Sequence, residues 1–136
     1  MVGILLFTHA PLGRAFIEAA AHVFRGLPEQ LEAIDVLPDQ NTDAVIALGK
    51  AAVARLNLGD GVLVLTDILG GTPSNCSQKL GAPDQVAVLA GLSLPMLLRA
   101  ITYRHDNLDV LLEMAQAGGQ NGAVQVDTRV RIGANG

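Results

Sequence analysis

A histidine and an aspartate in this sequence can form the reactive pair of a phosphoryl-transfer site. His9 comes two residues after the apolar run Val2–Phe7, and Asp67 comes two residues after the apolar run Val62–Leu65. A nucleophilic histidine needs a free lone pair on one ring nitrogen, so an acceptor must hold the proton on the other. Asp67 can hold that proton and stabilise positive charge that develops on the ring. His9 and Asp67 are therefore the candidate catalytic residues.

The loop after Asp67 has the composition of a phosphate-binding turn. Gly70 and Gly71 let the backbone turn tightly and approach a ligand closely. We expect Thr72 to cap a short helix and Pro73 to be its first residue. The N–H groups at such a helix start favour an anion, so Gly70, Gly71 and Thr72 are the candidate phosphate-binding residues. No second carboxylate stands close to Asp67 in the sequence, so we expect neither a metal ion nor another cofactor.

Each of these features also has a simpler structural explanation. A histidine after a strand is often structural, an aspartate often caps a turn, and two glycines often do no more than begin a helix. The functional interpretation is favoured because all of them converge on one point of the predicted fold.

The elements that bring these loops together follow a regular β–α alternation. Four short apolar runs are each followed by a stretch with helical spacing, which predicts an α/β fold, a mainly parallel sheet with helices on both faces. These runs are Val2–Phe7, Leu31–Val36, Val62–Leu65 and Val86–Ala90. The first and third are continuously apolar, as central strands are, whereas Glu32 and Asp35 place the second at an edge. Right-handed crossovers then give the strand order 2-1-3-4, so His9 and Asp67 follow neighbouring strands at the switch point where open α/β sheets bind ligands.

Helical spacing also predicts which side chains face the core. The expected core residues of the first helix are Leu12, Phe16, Ala19 and Val23. Those of the second helix, capped by Asn41 or Thr42, are Val45, Leu48, Ala52 and Leu56. Another helix begins around Ser93–Pro95. We expect the last helix, which contains Leu108 and Leu111, to stop at Gly118 and Gly119.

The tail from about residue 122 differs from the buried strands. Val124, Val126, Val130 and Ile132 alternate with non-core residues, which predicts a strand with one face in water. We expect this strand to pair antiparallel at an edge, either of its own sheet or of a second subunit.

Composition predicts one cytoplasmic domain over residues 1–136. The formal net charge of −4 and the scattered Lys and Arg residues argue against nucleic-acid binding. Cys76 is the only cysteine, which excludes an internal disulfide and fits a reducing compartment. No stretch approaches the roughly 20 apolar residues of a membrane span, and the first run lacks the basic start of a signal peptide.

At the residues singled out above, the sequence resembles the mannose-type enzyme IIA (EIIA) family of the bacterial phosphoenolpyruvate:sugar phosphotransferase system (PTS). The segment Phe7–His9 resembles the active-site histidine region of that family. The segment Asp67–Asn75 resembles its third-strand loop, and Ala90–Leu97 resembles its fourth-strand signature. The likeness extends from the first strand to about Val126.

The resemblance implies a phosphoryl carrier. His9 would accept phosphate from the phosphocarrier HPr, which enzyme I charges from phosphoenolpyruvate, and would pass it to a IIB domain that phosphorylates incoming sugar. Asp67 would be the hydrogen-bond partner of His9, and Gly71–Thr72 would hold the phosphoryl group. The resemblance also implies a homodimer formed by exchange of the last strand.

Two departures from the family pattern shape these expectations. Ala10 stands where many members have glycine. The sequence contains neither a linker nor a IIB domain after this domain, so we expect an EIIB component on a separate chain. We expect an association with the membrane only through IIC and IID.

Other functions stay open at this point. The chain could be a stand-alone regulatory EIIA, or the phosphodonor of a dihydroxyacetone kinase system, for which we expect a different loop after the aspartate. A magnesium-dependent phospho-receiver needs an acidic cluster, which Thr8–Ala10 does not offer. A hydrolase that uses His9 as a base needs a Ser or Cys nucleophile elbow, and none appears in the sequence. His22, His105 and Cys76 are interpreted as solvated or packing residues. Arg99 stays open as a contact to a partner.

Overall fold

The central sheet has four parallel strands in the order β2-β1-β3-β4, as the sequence predicts. The computed structural model describes residues 1–128 of the chain. The strands are β1 (Gly3–His9), β2 (Leu31–Val36), β3 (Val62–Thr66) and β4 (Val86–Ala90). Because β1 lies between β2 and β3, its carboxyl end faces the loops that follow both neighbours.

Helices connect successive strands and cover both faces of the sheet, as in other parallel α/β folds. They are α1 (Leu12–Phe24), α2 (Thr42–Leu56), α3 (Thr72–Ser77), α4 (Leu94–Thr102) and α5 (Leu108–Asn121). Asn41 caps α2 by accepting a hydrogen bond from the Ala44 N–H, and Ser93 caps α4 by accepting one from the Met96 N–H. Both caps begin where the sequence predicts a helix.

The central strands are buried on both faces, so the core has two halves. On one face Ile4, Leu6 and Leu63 pack with side chains of α4 and α5. On the other face Leu5 and Phe7 pack with side chains of α2. Alternation along β1 therefore sends successive side chains into opposite halves of the core.

Two helices bury only part of the stripe that their apolar spacing predicts. Val45, Ala52 and Leu56 of α2 are buried as expected, and Phe16 of α1 packs against the core. Leu12 and Val23 of α1 are exposed, and Gly13 and Ala20 are buried instead. In α2, Leu48 is exposed and Gly49 is buried, where an added Cβ would lie 3.0 Å from Cε2 of Phe7 on β1. In both helices a glycine allows the backbone to approach the sheet closely, and that approach selects the stripe.

The expected stop of α5 at Gly118 and Gly119 is wrong, because the helix continues to Asn121. An added Cβ on Gly118 would lie 2.8 Å from Arg99 Cβ, and one on Gly119 would lie 2.7 Å from Met96 Cε. These glycines are therefore contact points where α5 packs tightly against α4, and they do not end the helix.

Arg104 fastens the amino end of the sheet. Its side chain is 4% exposed and follows α4. Nε and Nη2 both donate to the carbonyl oxygen of Val2, at 3.2 and 3.1 Å. Nη2 also donates to the carbonyl oxygen of Gln30 at 2.5 Å, and Nη1 donates to the carbonyl oxygen of Glu29. Burial lowers the pKa of Arg104, an effect that the negative charge of Glu29 opposes. The arginine thus joins the α4–α5 loop to the starts of β1 and β2.

The start of the tail runs without strand pairing in the described part of the chain. Val124 and Val126 are exposed, and residues 123–127 have no regular secondary structure. Val130 and Ile132 of the predicted strand lie outside the described residues. Within residues 1–128, no helix has the length and apolar character needed to cross a membrane.

Candidate active site

His9 is the last residue of β1 and projects beyond the carboxyl end of the sheet. Phe7 and Thr8 before it are fully buried, whereas the His9 side chain is 49% exposed. The Ala10 N–H donates to the Val36 carbonyl at 3.0 Å, which holds the start of the following loop against β2. A buried strand therefore carries the imidazole to the surface on a fixed backbone.

Asp67, the first residue after β3, contacts His9 as the topology predicts. His9 Nδ1 lies 2.8 Å from Asp67 Oδ2, and the His9 backbone N–H donates to the same oxygen at 3.1 Å. The Ile68 N–H donates to Oδ1 at 3.0 Å, so both carboxylate oxygens have partners. An ionised carboxylate only accepts hydrogen bonds, so it selects the tautomer with the proton on Nδ1 and a lone pair on Nε2.

The surroundings of Asp67 keep its carboxyl group ionised. Burial of this side chain, which is 10% exposed, raises the pKa, but the hydrogen bonds and charge of His9 outweigh that effect. The pKa of Asp67 is lowered as a result. The carboxylate is therefore available to balance positive charge on the ring.

Gly71 brings the backbone of the second loop against the open side of the His9 ring. An added Cβ on Gly71 would lie 2.9 Å from His9 Cε1 and 3.3 Å from Nε2. Gly70 before it has a φ of +88°, in the left-handed region that favours glycine. The loop therefore runs beside the Cε1–Nε2 edge of the ring, where a side chain at position 71 would not fit and where Nε2 is the nitrogen that Asp67 leaves free.

The expected helix start in this loop is shifted by one residue. Gly71, in an extended conformation, is the N-cap of α3 and provides no side-chain cap. Thr72 is the first helical residue, so its predicted capping role is wrong. The backbone N–H of Thr72 is one of the N–H groups that a helix start leaves without an intrahelical partner.

A cavity of about 450 Å³ opens beside His9 and Thr72. Its opposite wall is the β2–α2 loop, from Val36 to Gln40, with Thr42 at its end. This loop carries no sequence motif that indicates a function, although it follows β2, whose carboxyl end lies at the same edge of the sheet as that of β1. No Lys or Arg occurs among the residues that line this cavity in the described chain.

The other histidines and Cys76 lie apart from this arrangement. His22 and His105 are exposed on α1 and on the α4–α5 loop. Cys76 is buried on α3 among side chains of the α2 half of the core. Arg99 of α4 packs against α5 and places its guanidinium carbon 6.0 Å from the centre of the Tyr103 ring. Residues 1–128 contain no cluster of three or more His, Cys, Asp or Glu side chains that could hold a metal ion.

Comparisons with known proteins identify relatives over most of the chain. The EIIA-man family model, described as the PTS system fructose IIA component, matches residues 3–116. The PTS system sorbose-specific EIIA component of Lacticaseibacillus casei is 32% identical over 115 residues, which are 79% of this chain and 76% of that protein. The PTS system mannose-specific EIIAB component of Escherichia coli K12 is 29% identical over 124 residues, which are 89% of this chain.

A solved structure supports the same relationship. The chain superimposes on the PTS component EIIA from Streptococcus agalactiae with a TM-score of 0.77 and 26% identity, covering 92% of this chain and 97% of that one. The chain spans only 38% of the length of the Escherichia coli EIIAB protein. Because the family model covers most of its residues, the chain belongs to the EIIA-man family of phosphotransferase system components.

Proposed function

We propose that this chain is a phosphoryl carrier that accepts phosphate from phospho-HPr on His9 and passes it to a IIB domain. The observation that carries the proposal is the 2.8 Å contact between His9 Nδ1 and Asp67 Oδ2. It leaves Nε2 as the nitrogen with a lone pair, on the open side of a half-exposed ring.

The transfer balances without a further reactant. The Nε2 lone pair attacks the phosphorus atom of phospho-HPr, a new N–P bond forms, and the N–P bond in HPr breaks as its histidine takes back the bonding electrons. Asp67 stabilises the positive charge that develops on the His9 ring, and the ring keeps its proton on Nδ1. Transfer to a IIB domain is the same exchange with His9 as the leaving group, and it requires no metal ion.

Gly71 and Thr72 are proposed to hold the phosphoryl oxygens, with Gly70 forming the turn that precedes them. Support comes from the close approach of Gly71 to Nε2, which leaves room for backbone but none for a side chain. N–H groups at the start of a helix lack intrahelical partners and can donate to phosphoryl oxygens.

The surroundings of the site favour a protein as phosphoryl donor. Leu12, Leu37, Ile68 and Leu69 are all exposed, and they belong to the three loops at this edge of the sheet or to the residues next to them. Clustered exposed apolar side chains are typical of protein-binding surfaces. A small anionic donor would instead call for basic side chains, and none lines the cavity in the described part of the chain.

Three further expectations from the sequence stay predictions. A homodimer formed through the tail is testable by sedimentation of the chain with and without the residues after Gly122. A cytoplasmic location and an indirect association with IIC and IID at the membrane are testable by cell fractionation.

Labelling tests the proposed transfer. Purified phospho-HPr, with EDTA present, should add one acid-labile and base-stable phosphate per chain. His9→Ala should abolish the label, and Asp67→Asn should slow its appearance by about 100-fold because the carboxylate that fixes the tautomer is lost.

His22→Ala is the matched control, because His22 is an exposed histidine on α1 and should label like the wild type. Label that persists in His9→Ala would contradict the proposal. A requirement for a divalent cation with purified phospho-HPr would contradict its metal-independent form.

A further inference from the structure

Asp35 of β2 accepts three hydrogen bonds from the segments on either side of His9. Its Oδ1 accepts from the Thr8 hydroxyl at 3.1 Å and from the Gly13 N–H at 2.8 Å. Its Oδ2 accepts from the Arg14 N–H at 3.2 Å. One carboxyl group from the neighbouring strand thus joins the end of β1 to the start of α1.

These contacts replace a local helix cap. The N-cap position of α1 is Pro11, which makes no side-chain capping bond, and no acidic residue lies in the first turn. Helices usually take this cap from their own N-cap residue. Here it comes from a different strand, so the helix start is coupled to β2 and to the residue before His9.

The packing around Asp35 leaves little freedom. Thr8 is fully buried and pairs with Asp35 across the two strands. An added Cβ on Gly13 would lie 2.8 Å from Asp35 Oδ1 and 3.0 Å from Thr8 Oγ1. The glycine is therefore needed for the helix start to come this close to the strand.

The His9 side chain is half-exposed, so packing around the ring does little to hold it. Its direction depends on the backbone that carries it and on the contact with Asp67. We propose that Asp35, acting through Thr8 and the first turn of α1, is a positioning residue for phosphoryl transfer. It keeps Nδ1 against Asp67 while Nε2 faces Gly71. This inference rests on the proposed function of His9.

The test compares variants of the Asp35 cluster in the full chain. Asp35→Asn replaces one accepting oxygen by a donor, which then opposes a backbone N–H. We expect kcat for phosphorylation by purified phospho-HPr to fall at least about 10-fold, with KM changed by less than about 2-fold, because a small misplacement of the nucleophile affects chemistry more than docking. Thr8→Val should lower kcat in the same direction, and Thr8→Ser should restore it because the hydroxyl returns.

Glu32→Gln is the matched control. Glu32 lies on the same strand, carries the same charge and pairs with Arg55 at 2.8 Å, with both side chains partly exposed. Its hydrogen bonds go to Arg55 of α2, and alternation along β2 places it on the face opposite Asp35, so we expect wild-type kcat and KM.

Nitrogen-15 NMR of the His9 ring provides a readout that needs no phosphoryl donor. The wild type should have the Nδ1–H tautomer, and Asp35→Asn and Thr8→Val should mix the two tautomers. Folded variants with wild-type kcat and tautomer would overturn the inference, and if Asp35→Asn does not fold, the Thr8 pair decides. A wild type that phospho-HPr cannot label would refute the proposed function, whereas the NMR comparison would still test the positioning.

Discussion

The two ends of the sheet differ in how far a polar side chain is buried and hydrogen-bonded. At the amino end, the almost fully buried Arg104 uses three of its nitrogens to donate to backbone carbonyls of three different residues. At the carboxyl end, the His9 side chain is half-exposed, and only Nδ1 has a hydrogen-bond partner within residues 1–128. The same fold therefore holds one polar group for stability and another for chemistry.

The difference shows what distinguishes a reactive residue from a structural one. A buried charge is tolerated only when its hydrogen-bonding capacity is used, and Arg104 meets that condition. His9 has one nitrogen bonded to Asp67 and one nitrogen without a hydrogen-bond partner among the described residues, and the residue borders a cavity. Strong orientation combined with an unused lone pair is the arrangement expected of a nucleophile.

The largest expected difference between the two ends is in stability. Arg104→Ala leaves the carbonyl groups of Val2, Glu29 and Gln30 without this donor, so we expect the free energy of unfolding to fall by about 3 kcal/mol. His9→Ala should lower it by only about 1 kcal/mol, because the side chain is half-exposed and its loss removes one hydrogen bond to Asp67 Oδ2. Urea unfolding followed by circular dichroism measures both values.

Phosphoryl transfer should be lost in His9→Ala and retained in Arg104→Ala, the reverse of the order expected for stability. Arg104→Ala should keep wild-type transfer per folded molecule, and Arg104→Lys, which keeps the charge but loses the forked geometry, should have intermediate stability. Loss of transfer in folded Arg104→Ala would break the distinction between the two ends.

A smaller effect is expected from a single methyl group at the site. In Gly71→Ala the new Cβ would press on the His9 ring at Cε1, which should turn the imidazole and lower the transfer rate by about 10-fold. Gly71 has a negative φ, so the backbone itself accepts alanine. The rate of labelling by phospho-HPr measures the effect.

Gly26→Ala is the control for that substitution, because an added Cβ on Gly26 meets nothing within 4 Å. It should transfer at the wild-type rate. Equal rates for the two alanine variants would show that the approach of Gly71 to the ring has no part in the reaction.

The smallest expected effect is a pH dependence of stability that distinguishes Asp67 from Arg104. The pKa of Asp67 is lowered in the folded chain, so the ionised carboxylate stabilises the fold above its unfolded pKa of about 3.9. That contribution is lost as the pH falls through the lower, folded-state pKa. The stability difference between the wild type and Asp67→Asn should therefore shrink below about pH 4.

The corresponding difference for Arg104→Ala should change less across this range, because the guanidinium remains charged and its hydrogen bonds go to backbone carbonyls, so only the charge of Glu29 is lost on acidification. Urea midpoints between pH 6 and the acid limit of folding, with both variants in parallel, measure the two trends. A difference for Asp67→Asn that grows on acidification would contradict the lowered pKa of Asp67.

The sequence by itself determined the strand order and hence the meeting of His9 with Asp67. Two continuously apolar runs identify the central strands, and the handedness of β–α–β crossovers leaves few arrangements for the rest. Because each of the two residues comes two positions after a central apolar run, their proximity follows from local patterns and this topological rule.

Only the tertiary structure decided which helix stripes face the sheet and which polar residues support the site. The exposed Leu12 and Leu48 fit an apolar repeat as well as the buried residues do, and close approach at a neighbouring glycine makes the choice. Asp35 and Arg104 act on partners far away in the chain, and neither has a local pattern that reveals those partners. A periodic apolar pattern indicates only which side of a helix or strand faces the core on average. A hydrogen bond depends on atomic positions within a fraction of an ångström, and only the packed chain defines those positions.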